Sequence, residues 1–317
     1  MITKMKVQLR HFQRAGLVLL KRTPPRRFAT VFPDDVFLTS YPKSGNTWTQ
    51  FLVGNLVFQD EPVTFADVNQ RIPSFSDMSE RELLRVPRPR YIKSHEPFHA
   101  YYQNVLYIAR DPRDVAVSNY HFLVKKKRLP RDFAIDTFVS DFIADRMTDN
   151  FGPWADNVVS WLAMGPSRRR FLFLRYEDLL ENTLRELRKI AAFLSMEADD
   201  ARLERVVQLS TADRMRQLEK EQWKSWDMTR RSRSDIPFVR AAKSGQWADA
   251  LSAESVAAIE GAWGPVMRLL GYELVNDPEK LSASSEEWRR WEALVSALWP
   301  RGLEKEKLTV GFQTEFQ

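Results

Sequence analysis

Cysteine is absent from the 317 residues, which excludes disulfides and thiolate metal sites and fits a cytoplasmic setting. Histidine is scarce. His11, His95, His99 and His121 show no His-x-His or His-Glu-x-x-His spacing, so a zinc enzyme is not expected. Acidic residues are missing from positions 1–33, which carry Lys4, Lys6, Arg10, Arg14, Lys21, Arg22, Arg26 and Arg27. The net charge of +6 therefore divides into +8 for this arm and −2 for the rest. The basic balance belongs to an arm, and a nucleic-acid-binding body is not expected. Long apolar runs are lacking near the start: Ala15 to Leu20 is too short for a membrane span or a signal-peptide core. Internal repeats and low-complexity tracts are also missing. What is abundant is hydrophobic residue, at 44%, enough for a sizeable core.

In the arm, Ile2, Met5, Leu9, Phe12, Gly16 and Leu19 recur at helical spacing. Such a helix suits peripheral contact with an anionic membrane through residues 1–21, or packing on the body or on another subunit. Thr23-Pro24-Pro25 ends it. The pattern then alternates. Asp35 to Ser40 reads as a buried strand, Tyr41 to Thr47 as a turn, and Trp48 to Phe58 as a helix. Residues 60–90 suggest a long loop with short helices. Tyr91-Ile92-Lys93 and Val105 to Ala109 read as strands, Asp114 to Val124 as a helix behind Pro112, Phe171 to Leu174 as a strand and Leu184 to Leu194 as a helix. Strands alternating with helices predict an α/β, three-layer fold: a central parallel sheet flanked by helices. Beyond Asn276, Trp288, Trp291, Val295, Leu298 and Trp299 form a stripe on a helix stopped by Pro300. It caps the core or offers a partner or lipid site. The expected organisation is an arm at 1–33, a catalytic domain at 34–275 and a helical extension at 276–317.

Three segments carry chemistry. In Tyr41-Pro42-Lys43-Ser44-Gly45-Asn46-Thr47-Trp48 a loop between strand and helix aims backbone N–H groups at one point, a site for phosphate or sulfate. Gly45 permits close approach. Lys43 supplies charge, and Ser44, Asn46 and Thr47 supply polar contacts. The lysine precedes the glycine, so this is not a Walker A loop. Arg110, after a strand, stands at the ligand edge of an open α/β sheet, with Ser118 two helical turns further on. In Lys93-Ser94-His95 the imidazole shares that edge and can take a proton from a hydroxyl nucleophile. Each has a plainer alternative: an ordinary turn, a surface ion pair and a structural histidine.

Tyr-Pro-Lys-Ser-Gly-Asn-Thr-Trp, Lys-Ser-His, Arg110-Asp111-Pro112-Arg113-Asp114-Val115-Ala116-Val117-Ser118 and Arg175-Tyr176-Glu177-Asp178, in this order, resemble the cytosolic-type sulfotransferases that use 3′-phosphoadenosine-5′-phosphosulfate (PAPS). The resemblance spans roughly residues 34–272. It implies a P-loop-like phosphosulfate-binding loop at Lys43–Thr47, adenine stacking on Trp48, and 3′-phosphate binding by Arg110 and Ser118. It also implies nucleotide contacts from Tyr176, Ser210 and Arg240. His95 would be the general base, with Lys43 and Lys93 beside the transferring group. PAP would be the product, and no metal is implied.

Two departures stand out. The family's Arg-Lys-Gly-x-x-Gly-x-Trp motif reads Arg240-Ala241-Ala242-Lys243-Ser244-Gly245-Gln246-Trp247, which puts one phosphate contact in doubt unless Lys243 replaces it. Ala212 stands where a second adenine-stacking aromatic is common. The family's dimer motif is not recognisable in Ala248 to Ser252, so that dimer is not predicted. Phe75, Phe98 and Phe122 line an apolar pocket for a small hydroxyl acceptor, or belong to the core. The competing functions are a P-loop-like kinase or NTPase, and a PAP-binding protein impaired in catalysis.

Overall fold

The computed structural model describes residues 30–147, 151–226, 228–300 and 302; the arm's predicted helix lies outside these. Four parallel strands, β1 (Val36–Ser40), β2 (Tyr91–Ser94), β3 (Asn104–Ala109) and β4 (Arg170–Arg175), form one sheet in the order β2-β1-β3-β4. Because all four run the same way, their C-terminal ends open on one edge.

The sheet is covered on both faces, which is why β1 and β3 read as continuous apolar runs. Period-two alternation sorts the side chains. Phe37, Val105, Tyr107 and Phe171 enter one core, and Leu38, Leu106, Ile108, Leu172 and Leu174 the other. The second face is packed by α1 (Asn46–Val57), through Leu52, Val53 and Leu56, and by helices further along the chain. Short α2 (Val68–Arg71) and α3 (Glu80–Leu83) interrupt the long 60–90 connection as expected. The first face is packed by α4 (Pro112–Lys125), α5 (Ile135–Ile143) and α6 (Trp154–Met164), which bring Val115, Phe138, Phe142, Trp154 and Trp161 to the core. Pro112 starts α4 at a position where a missing N–H costs nothing, and Asp111 caps it by accepting from the Arg113 N–H at 2.9 Å.

Behind β4 follow α7 (Tyr176–Glu181), α8 (Thr183–Phe193), α9 (Asp200–Leu209) and α10 (Ala212–Glu221). Further along follow α11 (Trp247–Ala250), α12 (Ala253–Leu269), α13 (Pro278–Ser284) and α14 (Glu286–Leu298). On α14, Trp288 and Trp291 are buried. A Cβ at Gly264 of α12 would lie 2.0 Å from the Trp288 ring, so the glycine makes room for the indole. Helix α14 therefore caps the core, and residues 278–298 are packed against the rest of the domain. Among the described residues no helix is long and apolar enough to cross a membrane.

Candidate active site

The turn after β1 is held open by its backbone. Lys43 has φ 70° and Gly45 φ 96°, a left-handed conformation that glycine accepts without steric cost. Gly45 is required a second time, since a Cβ there would sit 2.6 Å from the Tyr176 ring. Helix α1 begins directly behind it with no side chain capping its N-terminus. Its first N–H groups, which have no intrahelical partner, are left for an anion. The Ser44 hydroxyl is buried among the loop atoms without a hydrogen-bond partner. The Asn46 side chain differs from expectation. Its amide donates to the carbonyls of Leu38 (3.0 Å) and Ser94 (3.3 Å) and to the Ser40 hydroxyl (3.1 Å). It ties β1 to β2, leaving its backbone N–H as the group it can offer a ligand.

Strand β2 delivers Lys93 and, one residue past its end, His95. Asn157 anchors the His95 carbonyl at 3.1 Å. The imidazole Nδ1–H donates to the Ser40 carbonyl at 2.8 Å, which sets the tautomer and leaves the Nε2 lone pair for a proton. Phe151 packs edge-on against the ring at 5.6 Å. Burial, and next the Lys93 charge, push the imidazole down to about 3, so it is neutral at physiological pH. Lys93 is lowered too, by burial. Lys43 is brought down to about 7 by burial and then by the charges of Lys93, Arg110 and Arg240. Its ammonium rests 4.2 Å from the Phe122 ring centroid and 4.6 Å from that of Phe238, a cation–π arrangement.

Strands β3 and β4 supply the other half. Arg110 is buried. It donates to the Lys43 carbonyl at 3.3 Å and the Lys243 carbonyl at 3.1 Å, and its guanidinium lies 4.3 Å from the Tyr176 ring centroid. Its Nε has no partner. Ser118, half-buried on α4, lines the same cavity, as do Thr47, Trp48, Tyr176, Ser210 and Arg240. Trp48 stands edge-on to Tyr176 at 5.8 Å and donates from its indole to the Ser210 carbonyl at 2.9 Å. The Ser210 hydroxyl accepts from Asn55 at 3.1 Å. Ala212 also lines the cavity, at the place where an adenine-stacking aromatic is common in the family. Lys243 is exposed and outside the lining; it contributes its carbonyl, not its charge.

Apart from Ser44 and Lys243, the expected donor-site and catalytic residues line one cavity of about 740 Å³. Part of its wall is apolar and aromatic: Phe122, Met147, Phe151, Met228 and Phe238. Only Phe122 of the three proposed phenylalanines is there. Phe75 is a core residue packed against Phe37 and Tyr102, and Phe98 packs against Trp161; neither reaches the cavity lining. Of the other described histidines, His99 stacks on Tyr102, whereas His121 lines the cavity, its imidazole lowered to about 4 by burial and then by the Arg240 charge. Phe151, Phe238 and Met228 carry no local motif and were not legible.

The strip from Met228 to Trp247 closes the cavity and is fastened by its main chain. Glu219 accepts from the Phe238 and Val239 N–H groups, and Lys125 donates to the Arg233 and Ile236 carbonyls. Arg216 donates to the Arg240 carbonyl, and Asp114 accepts from the Gly245 and Trp247 N–H groups.

Comparison with known proteins accords with this geometry. A family model for the sulfotransferase domain matches residues 33–271. This chain belongs to the sulfotransferase family. Mouse (Mus musculus) sulfotransferase 1B1 is 30% identical over 232 residues, 68% of this chain and 76% of that protein. Sulfotransferase 1A1 of Canis lupus familiaris is 30% identical over 231 residues, 68% of this chain and 77% of its own. Among solved structures, retinol dehydratase in complex with retinol and PAP shares 22% identity at TM-score 0.63, over 73% of this chain and 80% of that one. A mouse sulfotransferase complexed with PAP shares 22% at TM-score 0.60, over 84% and 90%. These two show that the fold is common. As a sulfotransferase, the chain has sulfuryl transfer as its chemistry, and the family match ends before α13 and α14. Those helices nevertheless pack onto the matched α12 through Ser285, whose hydroxyl donates to the Gly261 carbonyl at 2.8 Å.

Proposed function

We propose that this sulfotransferase moves the sulfuryl group of PAPS onto a hydroxyl of a hydrophobic small molecule, giving PAP and a sulfate ester, with His95 as general base. The observation that carries the reading is the convergence of four strand ends on one cavity. There Lys43, Lys93 and Arg110 supply charge and Arg110 Nε is buried without a partner; the Ser44 hydroxyl, also unpaired, sits in the same loop but does not reach the lining. A buried polar atom without a partner calls for an explanation, and at a cation-lined cavity an anionic ligand supplies one. These orphans and the uncapped helix fit an anionic nucleotide donor. When bound, PAPS supplies an activated sulfuryl group on a phosphate leaving group.

The chain's own residues then have distinct tasks. The 43–47 loop and Ser44 hold the anionic end, Trp48 and Tyr176 border the base, and Arg110, Ser118 and Arg240 hold the 3′-phosphate. His95, its tautomer held by Ser40, accepts the acceptor's proton at Nε2. An anion in the cavity offsets Lys43 and Lys93 and so raises the basicity of that nitrogen. Lys43 and Lys93 stabilise negative charge as it shifts towards the leaving oxygen. Phe122, Met147, Phe151, Met228 and Phe238 give the acceptor an apolar wall. Titration calorimetry with PAP and with ATP, followed by transfer of labelled sulfate from PAPS to a panel of phenols, sterols and lipid alcohols, tests the reading. Binding of PAP in preference to ATP and a labelled product without added Mg²⁺ are expected. Preference for ATP with Mg²⁺-dependent hydrolysis would establish the NTPase instead.

A further inference from the structure

Resting on this donor reading, we infer that Asp114 is a positioning residue for the 3′-phosphate: its carboxylate fastens the 240–247 segment, and with it Arg240, against Arg110. Asp114 is buried in the first turn of α4. Its two oxygens accept from the backbone N–H of Gly245 at 2.8 Å and of Trp247 at 3.2 Å. One of them also lies 3.6 Å from Arg110 Nη2. That same Nη2 donates to the Lys243 carbonyl at 3.1 Å, while Nη1 donates to the Lys43 carbonyl at 3.3 Å. Two residues one helical turn apart thus tie the segment to the anion-binding loop, using main-chain groups alone.

The electrostatics require such a residue. Arg110 and Arg240 both line the cavity, and two guanidinium groups brought together without a ligand repel each other. A carboxylate behind them offsets that repulsion and keeps both forks in place for a dianion. Asp114 has its oxygens engaged by two N–H groups and Arg110, so it serves as counter-charge without offering a free lone pair to the ligand. The arrangement also bears on how the segment keeps its course with Ala241 and Ala242 in place of a lysine and a glycine: its hydrogen bonds to Asp114 and Arg110 are made by main-chain groups, and of its side chains Trp247 adds a stack 3.8 Å from the Arg113 guanidinium.

The test compares PAP with adenosine 5′-phosphate, which lacks the 3′-phosphate, by calorimetry on the wild type, Asp114→Asn, Arg240→Ala and the double variant. The wild type should prefer PAP by ~100-fold or more, on the scale of two charge-assisted hydrogen bonds. Asp114→Asn should cut that preference ~10-fold or more, leave the affinity for adenosine 5′-phosphate within about threefold, and add little in the Arg240→Ala background. A variant that keeps the preference, or loses both affinities in parallel as a merely structural lesion would, overturns the inference and leaves the donor reading standing. A wild type without preference overturns both. If the variant does not fold, hydrogen exchange of the Gly245 and Trp247 amides in the unmodified protein decides: slower exchange with PAP than with adenosine 5′-phosphate supports the role, and equal exchange overturns it.

Discussion

His95 and Lys43 face the same cavity with opposite demands. The base must be unprotonated and the lysine charged, and burial works for the first and against the second. With its imidazole held down to about 3, His95 should show no titration between about pH 5 and 8 in the ligand-free protein, which histidine NMR shifts will report. His95→Ala should lower the transfer rate by ~10²-fold or more, measured with labelled PAPS at saturating acceptor. Lys43 is lowered to about 7. Below that value it carries the charge that attracts the donor, and above it the empty site loses the charge. PAP affinity should therefore fall as pH rises through 7, and the fall should flatten in Lys43→Arg, whose guanidinium does not deprotonate; calorimetry across the pH range checks it. Identity was legible at this scale wherever a residue sits in a local motif: Lys43, His95 and Arg110 were all named from their position after a strand. Phe238 and Phe151 were not, because a cavity wall is assembled from distant segments that share no spacing.

At the scale of elements, the strand–turn–helix at 36–57 was legible because a buried parallel strand, a left-handed glycine and an apolar helix each leave a local signature. What the sequence did not disclose is that Gly45 faces Tyr176, 131 positions away. Gly45→Ala should strain both the φ of 96° and that contact. A cost of about 1–3 kcal/mol in the loop is expected, read as a PAP affinity lowered by ~10-fold or more. Phe75 and Phe98 take the core alternative for a related reason. Each lies within a few residues of a motif, but the connection from β1 to β2 turns Phe75 into the sheet's core and the chain after His95 carries Phe98 to Trp161. Closeness in sequence to the reacting groups was not closeness in space.

For the whole molecule, the alternation of strands and helices gave the three layers, while the boundary at 276 was drawn where that pattern gives way to a helix with a tryptophan stripe. Packing does not stop there. Trp288 is buried in the hollow left by Gly264, so Trp288→Ala should cost about 3–5 kcal/mol in denaturant unfolding monitored by far-UV circular dichroism. A single cooperative transition, shared by the matched domain and the tail, is expected. The closing strip has a consequence of its own. Held through amides and carbonyls, it keeps its path whatever side chains decorate positions 241–244, so the site is an open platform for engineering. Ala242 already sits at φ 50°, where glycine is more at ease. Ala241→Lys with Ala242→Gly would install an extra cation on a frame that needs no rebuilding, and tighter PAP binding in a titration is the expected gain.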